Sequence, residues 1–479
     1  MVAKTRLAMT LPFPNDPFLT DNYAPIRSEN EAPNLVIEGD LPLELQGTLY
    51  RNGPNPLFPP RGRYHYFSGD GMVHAATFAD GEVSYRNRWV RTEKWTADAE
   101  AGEALFGGMG NPGNTDSRAQ GVRYNVANTH IVKHAGRLLA LEEGNPPFEL
   151  DADLTSIGSY TYGGKLPGPM TAHPKLDPNT GEMHFFCYNL GGMGSPTMGY
   201  YVADAAGDLV TVEEFDSPYP AMIHDFVITN NYVLFPIFPA TINIERAMQG
   251  GAAIAWDKAL PSYIGILKRG APATDIRWVT GEPSYVFHPM NAYEDGQTIV
   301  LDMHTYPAAP GFPGADGSKP SRDDAEAMLE RWTIASSTDS DTWSVEQLDD
   351  RPTEFPRIAD SVVGNHYRHG YAATSVYGTA ARTTYDSIVH YDHELGTSKV
   401  WSLEKGDCVS EPAFVPRKVD SKEGDGWLLA FIYRSETNTS DIAILDASDM
   451  EAGPVAMIKL DTRVPNGFHG SWVDGRHIG

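Results

Sequence analysis

The sequence predicts an all-β fold of short strands and tight turns. Aspartyl-glycine and asparaginyl-glycine pairs recur along its 479 residues, and such pairs favour the positive φ angles of hairpin turns. Brief apolar or aromatic runs lie between them. Helical periodicity is weak, so a sandwich, a barrel or a propeller remains open.

Taken in order, residues 1–30 read as an extended arm. "MVAKTRLAMTLPFPNDPF" has two early cations, but Pro12 and Pro14 interrupt it and no secretory apolar run follows. Strands are then expected in "GTLYRN", "HIVKHAGRLLALEE", "EMHFFCYNL", "DFVITNNYVLFPIF", "QTIVLDMHTY", "DSIVHYDH", "GWLLAFIYR" and "SDIAILDA". Helices are expected at "ADAEAGEALFG" (97–107) and "RDDAEAMLERW" (322–332). No WD or kelch repeat is visible, and no composition shift marks a linker. A single domain spanning 1–479 is the expectation.

The 63 acidic residues outnumber the 37 basic ones, giving a formal charge of −26. That field repels nucleic acid and anionic lipid, so at most weak peripheral membrane contact is expected. The apolar stretch 230–248 reads first as a buried strand pair ending in a proline-rich loop. Two cysteines imply no disulfide framework and point to a reducing cytoplasm. No obligate protein partner is implied.

The segment "SYVFHPMNAYEDG" (284–296) poses the functional question. His288 has no HxH, HxxxH or cysteine partner nearby, so any ligands that join it come from distant segments. Four of the fifteen histidines share its context, a short run of apolar or small residues followed by a chain-bending or small residue. They are His173 in "MTAHPK", His224 in "YPAMIHDF", His288 and His469 in "NGFHGSW". Their spacing suits strands from different blades that each deliver one side chain to a shared axis.

The chain resembles the carotenoid cleavage oxygenases, non-haem iron enzymes that split conjugated carbon–carbon double bonds. The resemblance rests on "GTLYRNGPNP", "YHYFSGDGMVHA", "LLALEEGNPPFELD", "TAHPKLDPNTGE", "MIHDF", "FHPMNAYED", "EFPRI", "EPAFVPR", "DGWLLAFIY" and "GFHGSW", in family order. It implies a seven-bladed β-propeller with a few short helices, and one Fe²⁺ held by His173, His224, His288 and His469. It also implies three carboxylates, Glu143, Glu354 and Glu411, each accepting a hydrogen bond from a ligating imidazole. Such an acceptor fixes the ring's tautomer and angle. Imidazole ligation with dioxygen as co-substrate suits iron, because zinc has no redox chemistry.

The implied substrate is a small apolar conjugated alkene, cleaved to two carbonyl products. Stilbene-cleaving members of the family read a phenol with a Tyr and a Lys. Those positions fall on Met109 and Glu142 here, neither of the required type. Lys133 is a neighbouring cation at another position, and Phe67 matches an aromatic that packs on substrate. The departures place apocarotenoids or carotenoids ahead, with stilbenoids or a phenylpropene as the alternative. Whether one or both atoms of a single O₂ reach the products is open at this level. A propeller that binds without turnover would lack some of the seven site residues. A propeller hydrolase would present carboxylates to Ca²⁺ or Zn²⁺ instead.

Overall fold

Short strands paired by tight turns are the dominant regular structure of the described residues. The structure is a computed structural model and describes residues 11–109, 111–319, 321, 323–336, 341–377 and 384–476. Among these, the strands form seven sheets of four or more strands and one two-stranded ribbon. Neighbouring strands are antiparallel throughout. The chain divides into two compact units, one of 1–164, 406–419 and 426–479, the other of 165–405 and 420–425.

The first unit holds three sheets. In one, Gly47–Pro54 pairs on one side with Gly71–Ala79 and on the other with Gly470–Asp474. In a second, Val36–Gly39 pairs with Pro454–Leu460. Early and late segments are therefore stitched together twice. The third sheet runs through His130–His134, Arg137–Leu141, Phe148–Leu150 and Ser156–Ser159. Leu49, Phe78, Trp427, Leu429, Ile442 and Ile458 belong to an apolar cluster between the first two. Asp80-Gly81 makes the expected hairpin, with φ of 52° and 81°. Asn52-Gly53 does not turn. It lies inside a strand, where Asn52 Nδ2 donates to the carbonyls of Ala127 (2.8 Å) and His130 (3.1 Å).

The second unit holds four four-stranded sheets and the ribbon. Its core clusters are aromatic and aliphatic, with Phe186, Phe226, Phe235 and Leu267 in one and Tyr293, Leu329, Tyr367 and Val389 in another.

Both expected helices need correction. The first is Glu93–Ala101, capped by the Thr92 side chain and ended by Gly102 at φ 74°, so it starts and stops earlier than 97–107. The segment 322–332 holds a 3-10 turn at Asp323–Ala325 and enters a strand at Met328. Its first residue lies outside the described residues; Met328–Ala335 is a strand paired residue for residue with Thr298–Thr305. Leu329, Trp332 and Ile334 are buried, and Arg331 clasps Asp302 through Nε and Nη2, both at 2.8 Å. Sheet pairing overrides the helix propensity of the Ala- and Glu-rich run.

Candidate metal centre

In the second unit, three of the four singled-out histidines converge. His173 and His224 lie on loops, each just before a short strand. His173 is anchored by its own N–H to Thr171 Oγ1 (3.1 Å), and Thr171 N–H binds the Phe186 carbonyl (2.8 Å). His224 follows the buried Met222 and Ile223 and precedes the fully buried Phe226. His288 lies in the strand Tyr285–Asp295, at a point where pairing register shifts on both sides of Pro289. Proline has no N–H to give the ladder, so the strand bulges there and re-aims the preceding side chain. His288 thus sits at an irregular point of the strand, with its Nε2 facing that of His224.

The Nε2 atoms of His173 and His224 are 3.0 Å apart, and those of His224 and His288 are also 3.0 Å apart. His173 and His288 are buried, and His224 is half-buried. Two imidazoles each about 2.1 Å from an ion sit ~3.0 Å apart at a right angle but ~3.4 Å apart at the tetrahedral angle. The observed spacing is short enough for neighbouring imidazoles to share one ion.

The ring of His288 is held from behind. Its Nδ1 lies 2.5 Å from Glu354 Oε2, which also accepts from the Phe355 N–H (2.6 Å), while Oε1 accepts from the Tyr306 hydroxyl (3.0 Å). Phe355 takes φ of 53°, unusual for an aromatic residue, and its ring stacks on His288 at 5.5 Å. Burial would raise the Glu354 carboxyl, but His288, with His304 and the Phe355 N–H, reverses this and holds it below the usual carboxylate range. Phe287 meets the His224 ring edge-on at 5.1 Å. His173 has Asp225 near its Nδ1, at 3.7 Å, a residue the sequence reading did not single out.

In the first unit, His469 repeats the same arrangement. Its Nδ1 is 3.0 Å from Glu411 Oε1, and Glu411 Oε2 accepts from the Gly470 N–H at 2.9 Å. The His469 backbone is pinned on both sides, its N–H to the Thr129 carbonyl (3.1 Å) and its carbonyl to the Asn52 N–H (2.9 Å). Phe67 and Phe468 meet edge-to-face at 5.5 Å, which puts the predicted substrate aromatic beside the residue preceding His469.

The remaining predicted positions also lie in this unit. Glu143 is half-buried just after the strand Arg137–Leu141. Neighbouring Glu142 accepts from the Gly144 N–H (2.9 Å) and from Asn145 Nδ2. Burial pushes its carboxyl up to about 7, against the two hydrogen bonds. Met109 is 46% exposed and is tied through its backbone N–H to Ser68 Oγ (3.0 Å). Lys133 is half-buried in the strand His130–His134.

Comparison with known proteins gives one consistent result. A family model described as retinal pigment epithelial membrane protein matches residues 23–474. The chain is 36% identical over 469 residues to isoeugenol monooxygenase of Pseudomonas nitroreducens, spanning 96% of this chain and 98% of the relative. It is 36% identical over 484 residues to lignostilbene-alpha,beta-dioxygenase isozyme III of Sphingomonas paucimobilis, spanning 97% and 99%. The crystal structure of Pseudomonas brassicacearum lignostilbene dioxygenase superposes with a TM-score of 0.93 at 35% identity, over 97% of this chain and 100% of that one. Cobalt-substituted Synechocystis apocarotenoid oxygenase gives 0.81 at 31% identity, over 94% and 97%. The fold is accordingly a seven-bladed β-propeller, with the seven larger sheets as blades.

Proposed function

We propose, from the fact that this chain belongs to the retinal pigment epithelial membrane protein family and is a non-haem iron oxygenase of the carotenoid cleavage type, that it splits the side-chain double bond of a phenylpropene or stilbenoid into two carbonyl products. The observation that carries the substrate class is near full-length similarity to proteins named for isoeugenol and lignostilbene. The higher TM-score to the lignostilbene dioxygenase than to the apocarotenoid oxygenase points the same way. This revises the expectation that put apocarotenoids first. Met109 and Glu142 show that the Tyr and Lys readers are absent, but they say nothing against a phenol read by other groups.

His173, His224 and His288 are the residues that would hold Fe²⁺, with His469 as the fourth ligand. The support is the convergence of the three Nε2 atoms and the repeated carboxylate partner on His288 and His469. Ferrous iron supplies the redox chemistry with dioxygen that an alkene alone cannot undergo. The chain's own residues do the rest. Glu354 and Glu411 accept from Nδ1 and so leave each Nε2 lone pair free for the ion. Their negative charges offset the ion without occupying a coordination position. Phe67 and Phe468 offer an apolar seat for a planar conjugated substrate, and no protein nucleophile or general base is called on.

The test is aerobic incubation of iron-loaded protein with isoeugenol, a 4-hydroxystilbene and an apocarotenal, with products identified by mass. Aromatic aldehyde from the first two, with the polyene untouched, is the expected result. Polyene cleavage alone would overturn the substrate reading and restore the apocarotenoid one. The same incubation under ¹⁸O₂ reports whether one or both oxygen atoms reach the products.

A further inference from the structure

His173 is served differently from His288 and His469. Each of those has a glutamate oxygen within hydrogen-bond reach of Nδ1, at 2.5 and 3.0 Å. The carboxylate facing His173 is Asp225, and its Oδ2 stands 3.7 Å from Nδ1, too far for a hydrogen bond. The reason lies on the other side of the carboxylate. Asp225 Oδ1 accepts from Lys175 Nζ at 2.7 Å and from the Phe226 N–H at 2.7 Å. The Asp225 side chain is 4% exposed and that of Lys175 19%, so the pair is largely shielded from water. Lys175 follows His173 across Pro174, and Asp225 follows His224 directly. The two loops that carry two of the imidazoles therefore also carry this ion pair.

We propose that Lys175 restrains Asp225 from closing on His173, and that this restraint keeps iron at the site in the ferrous state. Asp225 and Lys175 are positioning residues in this account. A carboxylate bonded to a ligating imidazole makes the ring a stronger donor and brings negative charge towards the ion. Both effects favour the more highly charged ferric form. Glu354 and Glu411 already supply that influence on two rings. Lys175 cancels the charge of Asp225 and holds it back from the His173 ring. The unwanted reaction is transfer of one electron from ferrous iron to dioxygen, giving ferric iron and superoxide, with no bond in the protein made or broken.

The inference rests on the iron-oxygenase reading above, and its test separates the two. The full chain and its Lys175→Met, Asp225→Asn and Lys175→Met/Asp225→Asn variants are loaded with ferrous iron anaerobically, and bound iron per chain is measured. Air is then admitted without substrate, and the high-spin ferric signal is followed by electron paramagnetic resonance. Lys175→Met is expected to bind iron and to oxidise about fivefold faster or more, and the double variant to return to within about twofold of the unmodified rate. Lys175→Arg keeps the charge and is expected to behave as the unmodified chain; Lys175→Gln replaces Lys175→Met if that variant does not fold. Oxidation of Lys175→Met at the unmodified rate, or a double variant as fast as Lys175→Met, overturns the proposal. An unmodified chain that binds no iron overturns the underlying reading as well.

Discussion

Glu354 Oε2 lies 2.5 Å from His288 Nδ1, on the side of the ring away from the Nε2 that faces His224. The carboxylate is 3% exposed and accepts from His288, the Phe355 N–H and the Tyr306 hydroxyl. A ring held this way has its tautomer and its angle chosen before any ion arrives.

Glu354→Gln keeps the size of the side chain but gives Oε2 a chance of becoming an N–H₂ donor facing other donors. Iron affinity is expected to fall about 10–100-fold, with the far-ultraviolet circular dichroism unchanged. Anaerobic titration with Fe²⁺ measures this, and wild-type affinity in the variant would show that the contact is only structural.

His224 stands 3.0 Å from both other converging Nε2 atoms, so its removal should cost more than the loss of one donor. His224→Ala is expected to purify without stoichiometric iron and to show no turnover after reloading. Elemental analysis of the purified variant decides the matter; one iron per chain with full activity would contradict the ligand assignment.

Glu411 does two jobs, since Oε1 faces His469 and Oε2 accepts from the Gly470 N–H where the strand begins. Glu411→Gln cannot accept at both sites in either amide orientation. A loss of roughly 1–3 kcal/mol in stability is expected alongside weaker iron binding, because a buried group is left unpaired. Urea unfolding of the metal-free variant isolates the first effect.

Glu142 gives a pH dependence of definite sign. Burial raises its folded-state value to about 7 from the ordinary 4.5. Below the unfolded value both states are protonated and nothing is lost. As pH rises towards 7 the unfolded state releases its proton first, so stability declines across that window. Glu142→Gln should therefore match the parent at pH 4 and exceed it at pH 8. The gain is at most about 3 kcal/mol and smaller to the extent that water screens a half-buried group. Urea midpoints at the two pH values test it, and an equal gain at both would point to packing instead.

Lys94 bridges two buried carboxylates, at 2.7 Å from Asp70 Oδ1 and 2.9 Å from Asp98 Oδ2. Burial would lower the ammonium's pKa; the two carboxylates more than reverse this and raise it. Lys94→Met leaves both acids without their cation and is expected to destabilise the protein by about 3–5 kcal/mol. Loss of the helix Glu93–Ala101 before global unfolding, seen by hydrogen exchange, would be its local signature.

Much of the architecture was legible because strand and turn chemistry is local. The runs "DFVITNNYVLFPIF" and "GWLLAFIYR" became strands, as their apolar character and bounding turns suggested. Met328–Ala335 was not legible, since the Ala- and acid-rich residues just before it suggest a helix running on through it, whereas a partner strand sets its identity. The histidines stood out by context, and for His288 that context is an irregular point of the strand beside Pro289. Asp225 escaped notice because an acid beside His224 looks like any loop aspartate. Only folding brings Lys175 onto one of its oxygens and His173 near the other. The order of substrates proposed here differs from the one the sequence suggested for a related reason: two missing residue types were taken as evidence about a ligand that many side chains can contact.

The pairing of Gly470–Asp474 with Gly47–Arg51 has a consequence for how the protein is made. The strand that follows His469 leaves a ribosome long after its partner strand has done so. Until it arrives, the early strand presents an open edge on the side later covered, a template for pairing with a neighbouring nascent chain. The other late segment, Pro454–Leu460, leaves Val36–Gly39 waiting in the same way. Slow translation or crowded expression should therefore favour tangled chains that already contain His173, His224 and His288, and yield should respond to temperature and chaperone supply more than to iron in the medium.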